Sequence, residues 1–323
     1  MEVENQVKSL MALLPSPRAV KSHALDLVAV LIMSVFLFPL VKRLPTVGWD
    51  WYFVFYGPER RLSAYPPFSQ YFFDLLTWMN WRDSLALVGS ISLVSVALTT
   101  RRRGGGIGSM TLALLSAPTW YLLWIGHPDG LVLFGVLTGL FPLALIKPQI
   151  SIWYYLKDWR WTIAVAVFIL LTLIAWPLWI RNFEQATFYL PAAFGWRKAG
   201  WPVALLGVAF LAGAGKDGDR LMAAGTLLSP YLMPYHLVLL VPILGRARRG
   251  WKVLLFFASW LGLLGVGVAG AGNLFSYTFP IMCYLSIQTR DAYSRNLHAT
   301  AQMIPDGVRR WKKWRNLPGR EEL

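Results

Sequence analysis

"ALDLVAVLIMSVFLFPLV", residues 24–41, carries one charged side chain, Asp26, in an otherwise apolar run. A helix needs about 20 apolar residues to cross a bilayer's hydrocarbon core, so this stretch reads as a transmembrane helix. Similar runs recur at 84–100, 109–125, 130–146, 161–180, 201–214, 221–244, 251–271 and 273–287. They predict an all-α fold, a polytopic transmembrane bundle of about 9–10 spans. A β-barrel would alternate apolar and polar residues over segments of about ten, and these runs are continuously apolar.

Composition agrees. Of 323 residues, 56% are hydrophobic and 15% charged, against about 25% charged in soluble domains. The mean hydropathy is positive. The net charge of +15 comes from Lys and Arg grouped in short connectors and the C-terminal tail, as membrane topology requires, so nucleic acid is not an expected partner. One cysteine, Cys283, excludes an internal disulfide and a thiol-based metal centre. The expected organisation is a cytoplasmic segment 1–23, a transmembrane domain 24–289 and a basic cytoplasmic tail 290–323. No cleavable signal peptide is expected, the first run acting as an uncleaved anchor. In the tail, "VRRWKKWR" (308–315) reads as a topology anchor on an anionic leaflet.

Two topologies satisfy the positive-inside rule, both with cytoplasmic termini. In one, 68–81 lies in the outer interface and 221–244 makes two short passes turning near Pro234. In the other, the chain turns at Phe141-Pro142, crosses back through Lys147, and 221–244 is one span. They place Lys157 on opposite faces, and both place Asp50 outside. Residues 68–81 are short enough to be either a span or an interfacial helix.

Candidate chemistry begins in "GWDWYFVFYGPERRLSAYPPF" (48–68). Asp50 follows the first span amid Trp and Tyr, residues that favour the membrane interface. A partly desolvated carboxylate there acquires a raised pKa, suited to a base. Arg60 and Arg61 are candidates for cradling a phosphate or resting among headgroups. Tyr65 precedes Pro66-Pro67, a rigid elbow into the next helix. "WIGHPDGL" (124–131) is a polar island whose Pro-Asp-Gly is ordinary turn chemistry; His127 and Asp129 alone make a weak metal pair. Lys147, in "LIKPQIS" (145–151) with Gln149, is an ionisable group within an apolar stretch, either functional or snorkelling to the interface. In "LLSPYLMPYHL" (227–237), Pro230 and Pro234 break an apolar run beside Tyr235 and His236. The Gly-rich "RRRGGGIG" (101–108) lacks the Lys-Ser/Thr ending of a phosphate loop. No cofactor or metal site is expected.

The order of these pieces resembles the GT-C class of integral-membrane glycosyltransferases. It is closest to the polyprenol-phosphate-sugar-dependent mannosyltransferases of glycosyltransferase family 87, across about residues 48–240. The resemblance implies that Asp50 is the general base on an acceptor hydroxyl and that His236 lies near the active site. It further implies that Lys147 belongs to a Lys-Pro element, with Arg60, Arg61, Tyr65, Gln149 and Tyr235 as donor-phosphate or substrate-binding candidates. The implied donor is a sugar, such as mannose, on a polyprenyl phosphate, transferred with inversion to an envelope lipid or glycan at the outer face of a prokaryotic plasma membrane. The polar island departs from the family, reading His-Pro-Asp where Gln and Asn are usual. A transporter or flippase, or a non-catalytic degenerate relative, are the competing readings. The first predicts internal repeats, which the sequence lacks. The second predicts that Asp50, Lys147 and His236 are replaceable.

Overall fold

The computed structural model describes residues 17–57, 65–178, 200–229, 232–264 and 275–303. They form an all-helical fold, with no strand among the described residues. Two helices are long and apolar enough to cross a membrane, within His23–Lys42 and Trp81–Arg102; a sharply bent pair makes a third if counted as one span.

The central helix, Trp81–Arg102, has 22 residues and is about 33 Å long. Asn80 caps it, its side-chain oxygen accepting the Asp83 N–H at 2.9 Å, and Arg101 and Arg102 in the last turn complement its dipole. Its interior carries Ser90, Ser92, Thr99 and Thr100, whose hydroxyls donate to carbonyls four residues back. Satisfied in this way, small polar side chains let neighbouring backbones approach closely. A Cβ on Gly130 would stand 1.9 Å from Ser92 Oγ. The helix Pro17–Lys42 packs along the central one, yet leaves Val35 and Phe36 70% and 79% exposed. Water does not favour such a surface; hydrocarbon does.

The other expected spans are broken more often than their hydropathy suggested. Residues 109–125 fall into two helices, Ile107–Leu114 and Ala117–Ile125, divided at Ser116 before Pro118. The run 130–146 is a ten-residue helix, Asp129–Thr138, stopped by Gly139 at φ 71° and followed by one turn, Phe141–Ala144. The run 221–244 is the helix Gly218–Leu228 followed by 3₁₀ turns Pro234–Leu239 and Val241–Gly245. No single regular helix covers 221–244 among the described residues, in keeping with Pro234 and Pro242, which cannot donate to a continuing helix. The helix Phe68–Leu76 has nine residues, about 14 Å, too short to cross. At the chain's far end, Thr278–Met303 runs unbroken through residue 290, where the tail was expected to begin.

One end of the fold is fixed by charge. Arg103, just past the central helix, grips Asp219 through Nε and Nη2 at 2.5–2.9 Å. Arg246 reaches Asp217 at 2.7 Å and Asp219 at 3.0 Å. The two ends of the 218–245 segment therefore meet, and the segment is a hairpin. Lys157, His23 and Lys216 line the same cavity as Arg103, Asp219 and Arg246.

Candidate functional site

Toward the other end, three local devices gather polar side chains. The first is the break after Ile125. Gly126 takes φ 79°, the left-handed region that favours glycine, and a Cβ there would lie 2.9 Å from Trp51 Cβ and 3.1 Å from Gly48 Cα. The chain turns by 119° between Ala117–Ile125 and Asp129–Thr138, carrying His127 and Asp129 inward. The second is Pro148, which opens the helix Pro148–Tyr155 and leaves Lys147 just before it. The third is the 3₁₀ turn Pro234–Leu239, which holds Tyr235 and His236 at the top of the hairpin.

Lys147 is the hub. Its Nζ lies 2.8 Å from His236 Nε2, 3.1 Å from His127 Nε2 and 3.4 Å from Asp129 Oδ1. Asp129, fully buried, also faces His127 Nδ1 at 2.9 Å and His236 Nε2 at 3.6 Å. The Tyr65 hydroxyl bonds to His127 Nε2 at 2.9 Å. Tyr235 stacks on the His127 ring with centroids 3.7 Å apart. Lys147 Nζ lies 5.1 Å from each of the Tyr65 and Tyr235 rings, within cation–π range. His236 Nδ1 accepts the Met233 N–H at 2.9 Å. A neutral His236 then carries its proton on Nε2, toward Lys147 and Asp129. One amine, two imidazoles and one carboxylate, all buried, thus form a connected set with links of 3.6 Å or less.

Asp50 sits at the edge of this cluster. Its connector is held by the Val47 and Gly48 N–H groups, which donate to the Trp124 carbonyl at 3.0 and 3.1 Å. The following turn is anchored by Trp51, whose Nε1 donates to Ser84 Oγ at 2.8 Å. Asp50 is half-buried, and its carboxylate accepts no hydrogen bond among the described residues. Burial pushes its pKa up to about 6; the charge of Lys147 pulls it down and that of Asp129 pushes it up.

Of the residues singled out in the sequence, Tyr65, Lys147, Tyr235 and His236 converge, with Asp50 within reach of their charges. Gln149 does not join them: it is half-buried, its carbonyl accepts from Trp153 Nε1 at 3.0 Å, and its side chain takes no part in the cluster's hydrogen bonds. Arg60 and Arg61 lie outside the described residues. His127 and Asp129 belong to the cluster, although sequence reasoning took them for a turn with a weak metal pair. They touch each other directly and both contact the Lys147 amine, and no group of three or more His, Cys, Asp and Glu among the described residues is placed to hold a metal. The available signal was a carboxylate between two apolar runs, which requires a buried partner.

The class defined by fold and site is an all-helical bundle with apolar outer faces and a buried Lys–His–Asp cluster. No protein-family model, curated protein or solved structure matches the chain.

Proposed function

We propose that the protein is a multi-pass membrane glycosyltransferase of the GT-C type. It moves a sugar, mannose being one candidate, from a polyprenyl-phosphate donor to a lipid or glycan acceptor at the outer face. The acceptor oxygen attacks the anomeric carbon as the bond from that carbon to the phosphate oxygen breaks. The polyprenyl phosphate leaves with the bonding electrons, the anomeric configuration inverts, and Asp50 takes the hydroxyl proton. Lys147 and the histidines beside it offset the charge developing on the phosphate.

The observation that carries this reading is the pairing of Asp50 with the Lys147 cluster. A half-buried carboxylate with a pKa of about 6 and no hydrogen-bond partner among the described residues stands near the Lys147 amine and two imidazoles. A base and an electrophilic clamp in one place are what this transfer needs. Apolar surfaces on 23–42 and 159–175 suit a bilayer and a prenyl chain. The shared cavity of Lys157 and Arg103 favours the topology with Lys157 cytoplasmic and 221–244 as two short passes, leaving Asp50 and His236 toward the outer face in a bundle of about 9–10 spans.

The test is transfer from a panel of polyprenyl-phosphate sugars by purified protein with envelope lipid extract. Wild type is expected to transfer and Asp50→Asn to lose transfer without any fall in melting temperature. Equal rates in both would remove Asp50 from the mechanism. A second reading, transport, is favoured by one feature: an ion-paired cluster at a helix break bent by 119°, as ion pathways use. Substrate flux across proteoliposomes without any sugar transfer would select it.

A further inference from the structure

A second charged feature lies at the opposite end, where the helix Trp159–Ala175 begins. A groove of about 670 Å³ there is lined by Lys157, Arg160 and Lys216 together with Leu156, Trp159 and Ile163. Its one carboxylate, Asp158, accepts the Arg160 N–H at 3.0 Å and caps the helix. None of the three cations has a carboxylate within ion-pair distance among the described residues. The nearby acids Asp217 and Asp219 are already held by Arg103 and Arg246. Lys157 is instead braced on the Tyr154 ring at 3.6 Å. From the cations, an apolar track runs along the helix through Ile163, Val167, Leu170 and Ile174, which are 48–69% exposed and spaced to share one face.

We propose that this groove is a binding site for an anionic phospholipid of the cytoplasmic leaflet. The phosphate rests among Lys157, Arg160 and Lys216, and an acyl chain lies along the 163–174 face. A free phosphate would use the cations and ignore the track; a zwitterionic lipid would use the track and leave the cation excess unmatched. Each basic residue near an anionic lipid surface shifts binding by roughly fivefold, so three in one groove distinguish this place from scattered headgroup contacts. The site rests on the membrane reading of the chain and is independent of glycosyl transfer.

The experiment is native mass spectrometry of the full-length protein, purified in detergent and offered phosphatidylglycerol and phosphatidylcholine in equal amounts. Wild type is expected to retain phosphatidylglycerol selectively. Lys157→Ala/Lys216→Ala is expected to reduce the retained fraction by roughly 20–30-fold, while Arg248→Ala/Arg249→Ala leaves it unchanged. Equal retention by the first variant, or equal loss in the second, overturns the site. Displacement of the lipid by millimolar inorganic phosphate assigns the cations to a free anion and also overturns it. Should the double variant not fold, as judged by melting temperature, Lys216→Gln alone is expected to give about fivefold lower retention, and no change there counts against the proposal. Sugar-transfer failure leaves this result untouched.

Discussion

Lys147 Nζ and His236 Nε2 lie 2.8 Å apart although 89 positions separate them in the chain. Both side chains are buried, with Asp129 beside them as the counter-charge. The arrangement binds three pieces that hydropathy treats as unrelated: the polar island, the Lys-Pro element and the broken hairpin.

Removing one member of this cluster leaves the others buried without balance. Breaking a buried pair costs about 3–5 kcal/mol, more than the pair itself contributes. Asp129→Asn and Lys147→Met are each expected to lower the melting temperature sharply. The double variant is expected to lose less than the sum of the two, because neither charge is then stranded. Thermal melting of all four proteins in one detergent checks this; additive losses would show that the two groups are not coupled.

The Asp50 carboxyl holds its proton to about pH 6 in the folded protein, against 3.8 ordinarily. As a base it must be ionised, so transfer is expected to rise with pH through about 6 and then level off. For stability the sign is opposite. The folded state binds this proton more tightly than the unfolded chain, so this group's contribution falls as pH rises from about 4 to 6. Asp50→Asn is expected to melt like wild type near pH 4 and somewhat higher at pH 7.5. The effect is modest because the group is partly exposed. A lower melting temperature for the variant at pH 7.5 would contradict the account.

Gly130 meets the central helix where a Cβ would stand 1.9 Å from Ser92 Oγ and 2.7 Å from Ser92 Cα. The obstruction includes backbone, so rotating the serine does not relieve it. Gly130→Ala is expected to cost about 1–3 kcal/mol and, by shifting the adjacent Asp129, to reduce sugar transfer. Gly108→Ala, with nothing within 4 Å of its Cβ, is the control expected to leave both unchanged.

Sidedness is testable with introduced cysteines, since the native Cys283 is buried. Lys157→Cys and Lys216→Cys are expected to react from one face of sealed vesicles and Trp49→Cys from the other. His236→Cys is expected to stay unreactive until the protein unfolds. Labelling of Lys157→Cys and Trp49→Cys from the same face would return the topology to the alternative that crosses back through Lys147.

The sequence by itself determined the helical class and the chemistry-bearing residue types. Continuous apolar runs admit few structures other than helices, and an ionisable residue such as Lys147 inside one demands a partner. It also located the break at Pro234, because proline's missing N–H acts locally. Tertiary structure alone decided which residues meet. Asp129 reads as turn chemistry until the 119° bend at Gly126 carries it against Lys147, and Gln149, two residues from that hub, is left out. Hydropathy reports the cost of leaving a group unpaired in an apolar region. It does not report which distant group satisfies it, because that depends on how closely backbones approach at glycines such as Gly130 and on where hairpins such as 218–245 turn.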